Sequence, residues 1–567
     1  MNFITQINAD HTYDAIVIGS GISGGWAAKE LCEKGLKTLV LERGRMVRHV
    51  TDYPTMNNEH WDFEHRGRLS YEDTQKYHVQ LRSGFINEAN KHFHANDLDH
   101  PYTEVKRFDW IRGDQVGGRS LLWGKQCYRW SDLDFEANAK EGIAIDWPIR
   151  YKDIENWYTY VEKYVGISGE KMGLPHLPDG HFLPPMDLNC LEKHVKARIE
   201  KEFKGRYMTI GRVAHLTEPI NGRGKCQYRN RCARGCPFGA YFSSNAVTLP
   251  AADATGNLTM RPDSAVHSII YDAKTNKATG VRIIDTVTHE TTEFYARVIF
   301  LNASTLGSTS ILLNSTSERF PNGMGNDSGE LGHNLMDHHY RLGAMGSYDG
   351  FEDQYYKGRR PNGIYIPRFR NLDEQTRRPE FLRGYGYQGS GGRGNWGGGV
   401  NSEGIGAEFK ENLFKPGGWG MTLVGFGECL PYHENKVTLN QNLKDKAGLP
   451  TLTFDAEFKT NEMTMRNYMK ADAAEMLEKA GFKNVSTFDH MGGIGVGIHE
   501  MGTARMGRDP KTSVLNANNQ VHAVSNVFVT DGACMTSSSC VNPSITYMAL
   551  TARAADFAVQ EMKNKRL

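Results

Sequence analysis

Tyr13-Asp14-Ala15-Ile16-Val17-Ile18-Gly19-Ser20-Gly21-Ile22-Ser23-Gly24 decides how this chain folds. Residues 13–18 are a short, continuous apolar run of the kind that forms a strand buried on both faces of a parallel sheet. Gly19 to Gly24 spell G-x-G-x-x-G. Trp26, Ala27, Leu31 and Cys32 then recur at helical spacing as far as Gly35, a helix C-cap signal. A second apolar run, Lys37 to Leu41, ends at Glu42, 18 residues past Gly24. Strand, glycine turn, helix, strand and acid together form a dinucleotide-binding βαβ unit. The glycines let backbone N–H groups approach a pyrophosphate at a helix N-terminus, and the acid takes ribose hydroxyls. The motif does not choose between FAD and NAD.

The bulk of the chain narrows the class. Its 567 residues exceed one ordinary domain, and 39% hydrophobic residues suffice for a large core. A net charge of +1 gives no reason to invoke nucleic acid or an anionic membrane. No apolar run approaches the roughly 20 residues that span a bilayer. Met1 to Asp10 has no charged stretch followed by an apolar one, so no signal peptide is expected. Nine cysteines in this length are not a disulfide scaffold.

Three of those cysteines are close together: Cys226, Cys232 and Cys236, spaced C-x5-C-x3-C and followed by Pro237. Thiols so placed suggest an iron–sulfur cluster. The competing readings are a disulfide with a spare thiol and an incomplete zinc site. The odd count opposes the first, and no fourth Cys or His within ten residues opposes the second. Arg223, Lys225, Arg229, Arg231 and Arg234 surround them and would offset thiolate charge or help dock an acidic acceptor, unless they form only a solvated basic loop.

Toward the C-terminus, Val527 to Val529 read as a buried strand closed by Asp531-Gly532, and Val298 to Leu301 as another before Asn302-Ala303-Ser304. Asn542-Pro543 reads as a helix start, with Pro at the first helical position. Alone it reads as an ordinary capped helix; beside a cofactor, such an N-terminus would favour an electron-rich ring. Upstream, the glycine-rich Gly492 to Gly497 leads into His499-Glu500-Met501-Gly502-Thr503. A lone His is more often a surface or satisfied core residue, but His499 stands among small residues suited to packing against a ligand, where a neutral imidazole can act as a base. Gly384 to Gly399, with Tyr385, Tyr387, Arg393, Asn395 and Trp396, reads either as a loop over a sugar or as a surface loop. Asp146-Trp147-Pro148 and Trp157 to Tyr160 read as packing.

These pieces, in this order, resemble the glucose–methanol–choline (GMC) family of FAD-dependent oxidoreductases. The landmarks are the G-x-G-x-x-G with Glu42, Val116 to Gly124, Ala303 to Ser315, Leu331 to His339, His499 with its Gly-Thr-x-Arg-Met-Gly, Asp531-Gly532 and Asn542-Pro543. The resemblance implies an α/β Rossmann-like FAD-binding domain in discontinuous segments, with a second, mostly antiparallel-sheet substrate domain. The expected division is 1–135, 246–339 and 491–567 for the FAD part, and 136–245 and 340–490 for the substrate part. FAD would be held by Gly19, Gly21, Gly24, Glu42, Arg43, Gly118, Ser120, Asp531, Gly532, Asn542 and Pro543. His499 matches the family's active-site histidine and Asn542 its second active-site position. Some members attach FAD through a His where this chain has Leu122, so the FAD is expected to be non-covalent.

Within the family, the cysteine segment resembles that of bacterial sugar and sugar-acid dehydrogenases, which carry a 3Fe–4S cluster there. The N-terminal phrase Gly24 to Arg45 looks most like bacterial glucoside 3-dehydrogenases. The expected reaction is oxidation of a secondary sugar hydroxyl, at C3 of a glucoside, to a ketone. His499 would be the base, hydride would go to flavin N5, and electrons would leave one at a time through Cys226, Cys232 and Cys236. The rivals are oxidation at another carbon of glucose, fructose or a sugar acid, an oxidase that reduces oxygen, and a non-redox flavin lyase. Expected partners are a sugar or glycoside, a cytochrome or quinone, and a small subunit that carries an export signal to the periplasm.

Overall fold

In the computed structural model, residues 2–3, 11–355, 360–394 and 404–567 are described. Asn395 and Trp396 of the glycine-rich stretch lie outside them.

The first apolar run is the strand Thr12–Ile18, central in a mostly parallel sheet. Thr38–Leu41 pairs with it on one side, Ala15 opposite Thr38 and Ile18 opposite Leu41. Thr291–Leu301 pairs on the other, Ala15 opposite Val298 and Ile18 opposite Leu301. The sheet continues through Leu258–Arg261 to Asn2–Phe3 at one edge, and through Val524–Val529 to the short antiparallel Gln520–Val521 at the other. Stretches separated by hundreds of residues in sequence thus lie side by side.

Both faces of this sheet are covered, which is why its strands are apolar without alternation. Ala15, Val17, Val40, Val298 and Phe300 face the helices Ile22–Glu33 and Ser544–Lys563, through Ala27, Leu31, Ala555 and Ala558. Ile16, Ile18, Leu39, Ile299 and Leu301 face the other way, into a core with Val266, Ile269, Val281 and Ile283 of the hairpin Ser264–Asp272 and Lys277–Asp285. The helix Ile22–Glu33 ends as its sequence predicts: Gly35 takes φ +88°, and its N–H bonds the Cys32 carbonyl.

A second, six-stranded sheet is antiparallel throughout. Its order is Lys483–Asp489, His339–Tyr348, Trp419–Gly427, Tyr385–Arg393, Ile364–Ile366 and Thr209–Ile210. Helix Thr460–Lys479 lies on it, with Met465, Met469, Ala473 and Met476 packed among Leu342, Ala344, Leu423 and Tyr387. The glycines of 384–394 are therefore mostly strand: Tyr385 and Tyr387 are buried in this core, and their hydroxyls donate to Asp472 and to the Met469 carbonyl. Trp147 is buried as expected, its Nε1–H bonding the Ser537 hydroxyl at 2.7 Å. Among the described residues no helix is long and apolar enough to cross a membrane.

The parallel strands Thr12–Ile18, Thr38–Leu41, Thr291–Leu301 and Val524–Val529 end together. Their C-terminal ends deliver Gly19–Gly21, Glu42, Asn302–Ser304 and Asp531–Gly532 to one edge, the position where ligands bind in open α/β sheets.

Candidate active site

A cavity of 720 Å³ opens over that edge. It is lined by Gly19, Gly21, Glu42, Arg43, Gly118, Ser120, His499, Asp531, Gly532 and Asn542 of the sequence-predicted residues, together with Leu122. Gly24 and Pro543 lie beside it rather than on it. The three turn glycines have different jobs. Gly19 holds φ +93°, and a Cβ there would sit 2.4 Å from the Asn302 carbonyl oxygen. A Cβ on Gly24 would come within 1.9 Å of the Gly19 carbonyl oxygen, so Gly24 lets the helix close onto the turn. A Cβ on Gly21 would meet no protein atom within 4 Å, so the space it keeps open belongs to a ligand.

Glu42 is buried and its carboxylate ties the turn to the second strand. Oε2 accepts the Ser20 N–H at 3.0 Å and hydroxyl at 2.5 Å, and Oε1 accepts the Gly44 N–H at 3.0 Å. Arg43 turns to Asp445 at 2.7 Å and His100 at 2.6 Å. The Ser120 hydroxyl is spent internally, donating to the Gly117 carbonyl at 2.6 Å and accepting the Ser244 N–H at 3.0 Å; it holds the Gly117–Gly118 turn, whose Gly117 N–H donates to the Ser20 hydroxyl and whose Gly118 lies beside Gly21. Asp531 accepts the Ala533 N–H at 3.0 Å and the Ser308 hydroxyl, and burial raises its carboxyl to about 6. Five cavity-lining side chains keep buried polar atoms without a protein partner: both ring nitrogens of His94, Nε of Arg112, Oδ1 of Asn302, and the hydroxyls of Thr451 and Tyr547. Buried polar groups are normally paired, so these mark positions for ligand contacts. Size, open glycine face, acid and orphaned polar groups all fit FAD.

His499 and Asn542 meet in this cavity although 43 residues separate them: Asn542 Nδ2 is 3.4 Å from His499 Nε2. The helix beyond Asn542 starts at Ser544, with Pro543 in the flanking cap position, so the expected Pro-first start is displaced by one residue. Asn542 does not cap that helix; its side chain is held across the cavity, where Gln388 Nε2–H donates to its Oδ1 at 2.7 Å.

His499 is fixed from behind. Asp337, fully buried, accepts backbone N–H groups of Gly495 (2.8 Å), Gly497 (2.7 Å), His499 (2.9 Å) and His338 (2.8 Å), which pins the glycine-rich approach to the histidine. His338 Nδ1 lies 2.9 Å from His499 Nδ1. Glu500 pairs with Arg119 at 2.9 Å. Burial, then His338 and Arg119, hold the His499 pKa well below its ordinary value, so the ring is neutral near pH 7. Asp337 and His338 lie within Leu331 to His339, where nothing in the sequence marks a role for either. Gln388 lies inside Gly384 to Gly399, the stretch that composition offers as a loop over a sugar, but nothing in the sequence marks this residue itself. The partners of these three residues lie between 154 and 162 residues away.

The cysteine loop departs from expectation. Among the described residues no set of three or more His, Cys, Asp or Glu side chains is placed to hold a metal ion, Cys226, Cys232 and Cys236 included. All three are free and half-buried. Cys232 instead approaches His215 Nε2 at 3.7 Å, and burial pushes the Cys226 thiol up to about 11. The donor chemistry suits iron and sulfide; the arrangement is not a ligand set. The arginines are also partly committed: Arg229 donates to the Met56 carbonyl at 2.7 Å, Arg231 to that of Asn57 at 3.0 Å and Arg234 to that of Asn58 at 2.9 Å. The cation that interacts with Cys232 and Cys236 is Lys125, buried with its ammonium 4.4 Å from the Tyr241 ring. Lys125 and His215 lie outside the cysteine segment, so spacing could not reveal them.

Known proteins are similar to this chain along most of its length. Residues 13–340 and 431–551 match the two models described as GMC oxidoreductase. The chain is 28% identical to 2-methyl-1,2-propanediol dehydrogenase of Mycolicibacterium austroafricanum, over 97% of this chain and 95% of that one. It is 24% identical to the fructose dehydrogenase large subunit of Gluconobacter japonicus, over 97% and 98%. A formate oxidase structure from Aspergillus oryzae RIB40 shares the fold with a TM-score of 0.62 at 14% identity, covering 99% of this chain and 100% of that one.

Proposed function

Because this chain belongs to the GMC oxidoreductase family, we propose that it is an FAD-dependent dehydrogenase that oxidises a secondary hydroxyl of a neutral sugar to a ketone, with C3 of a glucoside as the expected position. The observation that carries the reading is a neutral imidazole, His499, whose Nε2 faces the amide of Asn542 in the cavity with the open glycine turn. Fructose and an alkane diol, named for two of the relatives, are likewise neutral and hydroxyl-bearing.

The amides of Gln126, Asn362 and Gln388 line the same cavity as His499 and Asn542, beside Tyr340 and Phe426, whose rings stack at 5.1 Å. Neutral amides donate to and accept from hydroxyls, and aromatic faces cover the C–H groups of a pyranose. Asn542 Nδ2–H would hold the substrate oxygen while His499 Nε2 takes its proton; an alcohol carbon gives up hydride readily only as that proton leaves. The cofactor, bound along Gly19–Gly21, Glu42 and Asp531–Gly532, supplies the two-electron acceptor. Leu122 on the cavity wall offers no nucleophile to it, which supports non-covalent binding. Acid precipitation should leave the flavin in the supernatant; flavin retained in the pellet would contradict this.

His499→Ala should lower anaerobic flavin reduction by sugar by roughly 1,000-fold while FAD stays bound. Near-normal reduction in that variant would remove His499 from the mechanism. Because the ring's pKa lies below its ordinary value, the acid limb of the reduction rate should fall well below pH 6.5.

For electron exit, the cysteine loop remains the proposed place of a 3Fe–4S group and of a cytochrome or quinone partner, with a small export subunit alongside. The three thiols would have to converge first, so no electron step is derived through them. Iron and acid-labile sulfide in anaerobically purified protein test it: about three irons per chain supports the group, and none removes it.

A further inference from the structure

We infer that His338 is a positioning residue that sets the tautomer of His499, leaving Nε2 bare for the substrate and Nδ1 protonated. This rests on His499 being the base.

His338 Nε2 lies 3.1 and 3.0 Å from the carbonyl oxygens of Ser538 and Ser539. Carbonyls only accept, so Nε2 carries the hydrogen. Burial depresses His338 to about 4, so near neutral pH it holds one proton and its Nδ1 is a lone pair. That lone pair is 2.9 Å from His499 Nδ1, and two bare nitrogens at that distance would leave a buried bond unmade. The hydrogen between them is therefore on His499 Nδ1. His499 Nε2 is then bare, as the Asn542 amide nitrogen beside it requires, the oxygen of that amide being taken by Gln388.

The chain of donors runs in one direction from Gln388 through Asn542, His499 and His338 to two carbonyls. When His499 accepts the substrate's hydroxyl proton at Nε2, its Nδ1–H becomes a stronger donor to an acceptor already in place. His338 thus steadies the cation without itself gaining or losing a proton. The charged neighbours are Arg119, which opposes the cation, and Glu500, which pairs with Arg119; the Asp337 carboxyl, raised to about 7 by burial and by Glu500, accepts the backbone N–H of both histidines.

Three variants separate this from packing. His338→Asn can place Oδ1 near the position of the lost Nδ1 and should reduce flavin with sugar within about tenfold of wild type. His338→Phe keeps a ring but no acceptor and should lose roughly 100-fold in rate with KM within a few-fold. His338→Asp puts an anion there and should move the acid limb of the rate to higher pH. Equal losses in Asn and Phe, or a wild-type rate in Phe, would overturn the inference. A test independent of activity and of variant folding uses FAD-loaded wild-type protein with 15N-labelled histidine. At pH 7, long-range 1H–15N correlations, assigned by loss of signals in His499→Ala, should show His499 protonated at Nδ1 and His338 at Nε2. His499 protonated at Nε2 would refute the inference while leaving His499 as an active-site residue; sugar oxidation surviving in His499→Ala would instead defeat the functional reading.

Discussion

At the scale of single residues, the account depends on neutral groups held in low-dielectric surroundings. Gln388→Leu should free the Asn542 amide to rotate, lowering flavin reduction by roughly 10- to 100-fold while the melting temperature moves little. Unchanged turnover would show that Asn542 is held by other means. His94 gives a pH test. Burial depresses it to about 4, and its ring nitrogens have no protein partner. The unfolded chain takes up that proton near pH 6.5 and the folded one only near 4. The stability contribution is therefore full above pH 6.5 and is lost as pH falls between these values, on the order of 3 kcal/mol. The gap in melting temperature between wild type and His94→Gln should shift in favour of the variant across that window; a constant gap would contradict the burial argument. The bonds of His338, Asp337 and Gln388 were not legible in the chain, because each depends on a partner more than 150 residues away.

At the scale of elements, the glycine turn was legible because its requirements are local. Gly21→Ala adds a methyl to space that no protein atom fills and should leave the fold intact while weakening FAD binding. Gly24→Ala drives a methyl to 1.9 Å from the Gly19 carbonyl oxygen and should cost about 3 kcal/mol or more, or prevent folding. Equal effects of the two on FAD affinity and on stability would dissolve the distinction. Gly384 to Gly399 reads as a loop from composition, yet its described part is mostly strand, paired with Trp419–Gly427 and buried at Tyr385 to Tyr387 and at Gly391. There the close approach of other backbone and side chains, not a turn, demands glycine: a Cβ on Gly389 would lie 2.2 Å from the Thr422 carbonyl oxygen. Asn542-Pro543 resembled a cap, but Gln388 draws the Asn542 side chain away from the helix it precedes.

At the scale of the molecule, the parallel sheet gathers 12–41, 258–301 and 520–529 and brings their loops to one edge, while the antiparallel sheet carries Gln388, Tyr340 and Phe426 to the same cavity. The order of motifs made this architecture legible. It could not reveal that the cysteine loop would present separate thiols beside Lys125 and His215, since spacing fixes how far apart residues are in sequence and not where a coil points them. The central claim is that this cavity joins FAD to the hydroxyl of a neutral sugar, with His499 as base. The most direct measurement is to mix the FAD-loaded protein anaerobically with a panel of sugars and glycosides and follow the visible absorbance of the oxidised flavin. The account predicts rapid bleaching by a neutral sugar or glycoside, with a ketone product by NMR, and loss of bleaching in His499→Ala. Flavin that stays oxidised with every sugar, or bleaches equally in His499→Ala, would contradict it.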